Sequence, residues 1–533
     1  MSEAADAQDN DKRGGGKREW KSSHNPWLVA VVVTLGAFME VLDTTIVNVS
    51  LPHIAGNLAV GYDEATWALT SYLLANGIVL TISGWLSSVF GRKRYFLLCI
   101  AGFTVCSFLC GASTSLPELI VFRLAQGFFG GGLQPNQQSI ILDTFEPSQR
   151  GKAFGITAIA TIVAPVLGPT LGGFLTDTYS WRWVFYINVP IGAATFFAVQ
   201  ALVEDPPWAK ARPRGVDYIG LSLISIGLGC LEVVADRGED DDWFGSSFIV
   251  TMFILAILGI AGAIAWLLYA KKPVVDLRVL KDRNFALGCL MVAAMAAVLY
   301  ASAVVIPQFA QQQLGYTATW AGLILSPGGV VVIILIPIVG RLTSVVPLKY
   351  IIAMGFFIMG CSLVYSHYLV PDIDFKTLAT MRAAQTAGLG FLFVPISTIA
   401  FSTLPQSGNA DASALFTMFR NYFGSLSISA ATALVTDRSQ VRQAHLVSHT
   451  SLLDRGYTMT MNRLQGDFLA QGNPASGTTQ QATNWLYQQL HAQASVLAYS
   501  DVFMITALMS FLIIPFCFLM SGKTGGGSKP GGH

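Results

Sequence analysis

Long apolar runs recur along the chain with only short polar breaks between them, at 27–50, 65–88, 94–113, 117–142, 152–176, 183–203, 216–236, 247–270, 284–308, 319–341, 348–370, 376–404, 411–436 and 499–521. A helix crossing the hydrocarbon core of a bilayer needs about 20 consecutive apolar residues. The pattern therefore predicts an all-α polytopic membrane protein with fourteen transmembrane helices. An even number of crossings puts both termini on one side, and Lys and Arg identify that side because short cytoplasmic loops carry an excess of them. With the N-terminus inside, the short inner loops hold fifteen Lys and Arg, from Arg92, Lys93 and Arg94 to Arg341 and Lys349, whereas the short outer loops hold only Arg182, Arg237 and Lys376. Both termini are expected in the cytoplasm.

Composition agrees with lipid as the solvent. Only 12% of the residues are charged, against roughly 25% in an average soluble domain. A net charge of +1 offers no basic surface to nucleic acid and argues against that class of partner. All seven cysteines (Cys99, Cys106, Cys110, Cys230, Cys289, Cys361 and Cys517) lie inside apolar runs, so no disulfide scaffold is expected. The first 26 residues are polar and have no apolar core ahead of a small-residue cleavage site, so no cleavable signal peptide is expected.

Two internal echoes organise the helices. Thr66-Trp67-Ala68 opens the second run and Thr319-Trp320-Ala321 the tenth; Arg123-Leu-Ala-Gln126 precedes Pro135 in the fourth, and Arg382-Ala-Ala-Gln385 precedes Pro395 in the twelfth. Helix n thus matches helix n+8. Two six-helix halves of like orientation, separated by an inserted helix pair, satisfy this pattern, and such parallel halves build the major facilitator fold. The expected organisation is a disordered cytoplasmic tail at 1–26, an N-terminal half at 27–203, the inserted pair with its linkers at 204–283, a C-terminal half at 284–521, and a cytoplasmic tail at 522–533. The C-terminal half includes a polar, Gln-rich segment, 437–498, on the outer side. Leu and Gln spacing around Asn462–Gln471 and Trp485–Gln493 predicts two amphipathic helices there, joined near Gly472–Gly477 and suited either to docking or to capping the mouth of the bundle.

Against this apolar background the few polar residues stand out. Glu40 and Asp43 lie three apart in the first helix, on one face. A carboxylate near mid-membrane costs roughly 2.5–3.5 kcal/mol on insertion scales, so such groups face a cavity or a partner and often carry ions or protons. Arg123, Arg382 and Arg420 are the basic residues inside apolar runs, and a pair such as Arg123 with Asp43 neutralises both until protonation of the acid releases it. Packing or snorkelling is the plain alternative for Arg382 and Arg420. Together with Gln126, Gln137 and Phe423 they are the candidate substrate contacts. In Ala164–Gly173, Gly168 and Gly172 form a small-x-x-x-small face that admits a close helix neighbour, beside the bending Pro165 and Pro169 and next to Gly173. Gly522-Lys523-Thr524 lacks the upstream glycine of a phosphate-binding loop, since Cys517 stands there, and no cluster has zinc-ligand spacing. Neither ATP chemistry nor a metal or other cofactor is expected.

Several of these segments resemble the fourteen-helix drug:proton antiporters of the major facilitator superfamily, over nearly the whole chain. Leu42-Asp43-Thr44-Thr45-Ile46-Val47-Asn48-Val49-Ser50-Leu51-Pro52 is similar to their first-helix signature, Ala164–Gly173 to their antiporter signature, and Arg123-x-x-Gln126-Gly127 to their fourth-helix motif. Trp181–Pro190, Asp236-Arg237-Gly238 with Asp242-Trp243-Phe244, and Gly315–Gly322 resemble the EmrB-type branch, as does the long outer segment. The resemblance implies multidrug efflux driven by the proton gradient, with Asp43 and Arg123 in proton coupling and hydrophobic weak acids, uncouplers and antibiotics as substrates. It also implies a periplasmic adaptor of the EmrA type and an outer-membrane channel of the TolC type. One position departs: Ser88, within Gly84–Arg94, stands where the family has an acid, which questions any charge relay through that loop. An exporter of a metabolite or siderophore suits the same scaffold, and a non-transporting sensor or assembly scaffold built on the outer segment is the reading from another class.

Overall fold

The computed structural model describes residues 23–520, apart from 147–148, 210–214, 216, 240, 272, 344, 405–407, 449, 451–454 and 472–473. Most of both expected tails lies outside these residues. The described chain is built from helices, with no strand among the described residues. In the first half these are α1 (Pro26–Leu58), α2 (Trp67–Phe90), α3 (Arg92–Ala112), α4 (Leu116–Gly130) with α5 (Leu133–Thr144), α6 (Arg150–Thr178) and α7 (Asn188–Leu202). The inserted pair is α8 (Tyr218–Arg237) and α9 (Ser247–Tyr269). The second half comprises α10 (Arg283–Gln312), α11 (Ala318–Leu342), α12 (Leu348–Ser366), α13 (Phe375–Gly390) with α14 (Phe393–Ala400), α15 (Asn409–Val447), α16 (Arg455–Ala470) and α17 (Ala475–Leu512).

Eleven helices among the described residues are long and apolar enough to cross a membrane, or twelve if α6, bent by 41° near Pro165, counts as one span. The other two of the fourteen expected segments fail that test for a physical reason. The α4–α5 segment is broken at Gly131–Gly132 and carries Arg123, Gln126, Gln134, Asn136, Gln137, Gln138 and Asp143, all buried. The stretch of α15 inside the bundle is itself interrupted by polar side chains, Arg420, Asn421, Ser425, Ser427 and Ser429. Polar side chains buried inside a bundle are tolerated in a membrane where they meet protein or a water-filled cavity rather than lipid. Large apolar side chains such as Ile254, Leu258, Val330 and Ile334 point outward, as lipid requires.

The side on which the chain enters α1 is called here the terminal side. On it, the halves are closed by aromatic packing and a polar clamp. Phe154 of α6 meets Phe401 after α14 at 6.2 Å between ring centroids, and Phe401 in turn meets Phe285 of α10 at 5.9 Å and Phe416 of α15 at 5.3 Å. Asp143 at the end of α5 is ion-paired with Arg92, and its Oδ1 accepts from Asn409 Nδ2 of α15 at 3.1 Å and from Trp208 Nε1 at 3.2 Å. Ser88 turns away from any such relay, donating to its own helix at Trp85 O. Ahead of α1, the Ser23 hydroxyl and backbone N–H donate to Glu204, which hold that carboxyl below its usual range and tie the entry of the chain to the segment after α7. On the opposite, far side, α15 continues to Val447 and α17 begins at Ala475, so the polar segment is largely helical and continuous with two spans, with α16 packed on α17.

Candidate functional site

Asp43 lies on α1 in the middle of the first half, and it is 0% exposed, as is Arg123. Arg123 Nη1 of α4 donates to Asp43 Oδ2 at 2.6 Å; Asp43 Oδ1 accepts from Gln126 Nε2 at 3.0 Å and from Asn188 Nδ2 of α7 at 2.8 Å. The carboxylate thus has three donors from two other helices. Helical spacing places Arg123 and Gln126 on one face of α4, and Arg123 Nη1 also donates to Gln126 Oε1 at 2.9 Å. Arg123 Nε donates to the Ala68 carbonyl at 2.9 Å, and its guanidinium lies 4.1 Å from the Tyr72 ring centre, a cation–π arrangement suited to a desolvated cation. Such an approach needs α2 and α4 nearly in backbone contact; a Cβ on Gly127 would fall on the Tyr72 carbonyl. Asn188 is steadied from α3, since its Nδ2 also reaches Ser107 Oγ at 3.1 Å.

Glu40 takes a different route. One turn before Asp43, its Oε1 accepts from Asn76 Nδ2 of α2 at 3.0 Å, and Asn76 in turn contacts the Tyr72 hydroxyl at 3.4 Å. The structure therefore brings Asp43, and not Glu40, onto Arg123; Tyr72 is the link between the two acids. Glu40 Oε2 is buried without a hydrogen-bond partner. Across the interface between halves, Arg420 of α15 donates to Gln134 of α5, and Thr417 donates to Gln138 Oε1 at 3.2 Å. Arg420 also lines a cleft with Thr161, Met295, Leu299, Tyr300 and Phe393 that has room for about one water molecule. The other residues singled out from the sequence are placed apart from Asp43. Gln137 Nε2 joins Thr34 and Thr157 at 3.3 and 2.7 Å within the first half, and Phe423 is half-exposed and stacked on Phe419. Arg382 lies deep in the second half, where Nη1 donates to Ser302 Oγ at 2.8 Å.

The small face of α6 packs on α1 beside Asp43. Gly168 sits against Thr45, and a Cβ on Gly172 would lie 2.8 Å from Ile46 Cγ1 and 2.9 Å from its carbonyl oxygen. On the other flank of α6, Pro169 and Thr170 touch Gly322 of α11, and Gly173 faces Thr319. A segment with Pro165 and Pro169 in its interior is thus wedged between α1 and the second half. The turn of α1 that follows Asp43 thus touches α6, and α6 touches α11 of the second half.

Two functional candidates escaped the sequence reading. Asn188 was visible only as part of the Trp181–Pro190 motif, and nothing in the spacing says that it turns toward α1. Glu232 of the inserted helix α8 is buried at the seam with α15, accepting from Ser425 Oγ at 2.8 Å. Its neighbours Asp236 and Arg237 bond Thr70 and Thr66 at the start of α2. The inserted pair is therefore docked on both halves by polar contacts. Ser425→Ala strips Glu232 of this hydroxyl donor and is expected to cost about 1–3 kcal/mol, read as a lower unfolding midpoint in detergent; Ser425→Thr, which keeps the hydroxyl, should stay near wild type.

A family model described as the Major Facilitator Superfamily matches residues 33–428. The human organic anion transporter MFSD10 (TETRAN) shares the fold, with a TM-score of 0.55 over 91% of this chain and 99% of its own at 12% identity. The chain belongs to the major facilitator superfamily. Within that class it is EmrB-like: it is 34% identical to the Escherichia coli K12 multidrug export protein EmrB over 95% of this chain and 97% of that protein. It is equally 34% identical to the Haemophilus influenzae EmrB over 91% and 93%, and 31% identical to the Neisseria gonorrhoeae fatty acid resistance protein FarB over 95% and 97%.

Proposed function

We propose that the chain is a multidrug efflux transporter that exchanges protons for hydrophobic toxic compounds by alternating access across a bacterial inner membrane. The observation that carries the reading is the wholly buried Asp43, held by Arg123, Gln126 and Asn188 and lying one turn of helix from the contact of α1 with Gly168 and Gly172. Protonating Asp43 removes the charge that Arg123 neutralises, so the guanidinium must find other acceptors and the α1–α4–α7 packing must rearrange. That rearrangement reaches α6 and the seam between halves. Glu40, bonded to α2 rather than to Arg123, sits on the route by which a proton or a cationic substrate approaches from the centre. The Lys and Arg bias supports a cytoplasmic terminal side, and the clamp at Asp143 then closes the inner mouth while outward release proceeds.

The multidrug export relatives, and a fatty acid resistance relative, support amphipathic substrates including hydrophobic acids. The helical far-side extension of α15, α16 and α17 supports docking of a periplasmic adaptor of the EmrA type, and through it an outer-membrane channel of the TolC type. Expression in a strain lacking its own pumps tests the efflux reading: resistance to lipophilic dyes should rise with wild type, and dye efflux from loaded cells should stop when a protonophore collapses the gradient. Unchanged resistance would count against it.

The clamp makes its own prediction. Asp143→Asn breaks a buried ion pair, an effect of about 3–5 kcal/mol, on the side that must open to load substrate. A cysteine introduced beneath the clamp should react with an impermeant maleimide roughly tenfold faster or more in this variant. Equal rates would show that the clamp does not hold the mouth.

A further inference from the structure

The two halves carry the same side-chain constellation, and one charge is missing from the second copy. Asp43, Ser107, Arg123 and Gln126 each have a counterpart 259 residues later: Ser302, Ser366, Arg382 and Gln385. The arginine contacts repeat as well, although Asn188 has no counterpart, since Val447 stands at that offset. Arg123 Nη1 bonds Asp43 and Gln126 in the first half; Arg382 Nη1 bonds Ser302 Oγ at 2.8 Å and Gln385 Oε1 at 3.4 Å in the second, where Gln385 Nε2 donates to Ser366 Oγ at 2.9 Å. The difference is at the acceptor. Where Asp43 supplies a carboxylate, the second half offers a hydroxyl that also donates to the Leu299 carbonyl.

Arg382 is consequently a guanidinium only 3% exposed, with Nε lacking any hydrogen-bond partner and no carboxylate of the described residues paired with it. Arginine does not deprotonate in proteins, and an uncompensated charge inside a membrane bundle is costly. Ser366, which accepts from Gln385, is the point where the cluster meets a cleft lined otherwise by Ile306, Phe309, Leu378, Met381 and Phe503, with room for about one water molecule; Arg382 itself does not line it. A space of that size suits a monatomic anion and excludes the body of a drug-sized ligand.

We propose that the Arg382, Ser302 and Gln385 cluster binds a small monovalent inorganic anion, with chloride as its ordinary occupant, which takes the place that the Asp43 carboxylate holds in the first half. The second half then contains a fixed structural charge pair, one member of which is exchangeable, whereas the first half contains a titratable one. This inference rests on the internal repeat and the unpaired guanidinium, and stands whether or not the chain exports drugs.

The test is the thermal unfolding midpoint of the purified full chain in detergent, measured while gluconate is replaced by chloride at constant ionic strength. Wild type should gain roughly 2–4 °C with saturation, the scale expected for a ligand that binds only the folded state, and bromide should substitute. Ser302→Asp completes the second ion pair and should be stable in gluconate and indifferent to chloride; Arg382→Gln should also be indifferent. A flat wild-type titration overturns the proposal even if neither variant folds, as does a chloride response that survives in Ser302→Asp or Arg382→Gln. If a hydrophobic carboxylate added in gluconate reproduces the rise and chloride does not, the anion is the substrate's own and the inorganic assignment is overturned.

Discussion

Asp43→Asn is expected to give a folded protein that no longer accumulates a lipophilic dye against its gradient in everted membrane vesicles, while downhill equilibration of the dye persists. Asparagine preserves the shape of the side chain and can still accept from Gln126 or Asn188, so packing of α1 changes little. What it removes is the charge and the protonatable oxygen facing Arg123 at 2.6 Å. Because all three donors converge on this one carboxylate, no neighbouring acid can inherit its place: Glu40 is turned to Asn76. Asp43→Glu, longer by one methylene in a site that is 0% exposed, should recover only part of the coupling. Uphill accumulation by Asp43→Asn equal to wild type would remove Asp43 from the coupling step.

Arg123→Gln should do comparable harm by a different route. It leaves Asp43 buried without its cation, which for a buried pair costs about 3–5 kcal/mol, and for a chain of this size the unfolding midpoint should fall by roughly 3–5 °C. It also empties the space over the Tyr72 ring and frees the Ala68 carbonyl. The double variant Asp43→Asn, Arg123→Gln removes both charges, so it should regain more than half of the lost stability while remaining inactive; the two effects couple because the residues touch. If the double variant were as unstable as the sum of the singles, the ion pair would not be what holds α1 to α4.

Much of this arrangement was legible before any coordinates. Hydrophobic run length fixed where helices lie because lipid imposes a minimum span, and the Arg-x-x-Gln echo exposed the duplicated halves. The Asp43 and Arg123 pairing was readable because two opposite charges in apolar surroundings have few other ways to be neutralised. Partners across helices were harder. Periodicity states which residues share a face of one helix, not which helix lies opposite, so spacing alone left Glu40 without a partner; the structure supplies Asn76 on α2. Glu232 was passed over for a related reason. It lies near the end of an apolar run, where a charged residue usually reaches water, and only the packing of α8 between α2 and α15 buries it. Run length placed the polar spans at 117–142 and 411–436 although α4–α5 and α15 are less apolar than a lipid-facing helix, because their faces meet other protein.

The most direct test of the central claim is proton movement in proteoliposomes loaded with a pH-sensitive dye, comparing wild type with Asp43→Asn when a hydrophobic weak acid or lipophilic dye is added. Wild type should move protons on substrate addition, in the direction opposite to the substrate, and Asp43→Asn should not. Substrate-triggered proton flux of equal size in both would place coupling elsewhere in the chain, and the absence of flux in wild type with every compound would contradict antiport itself.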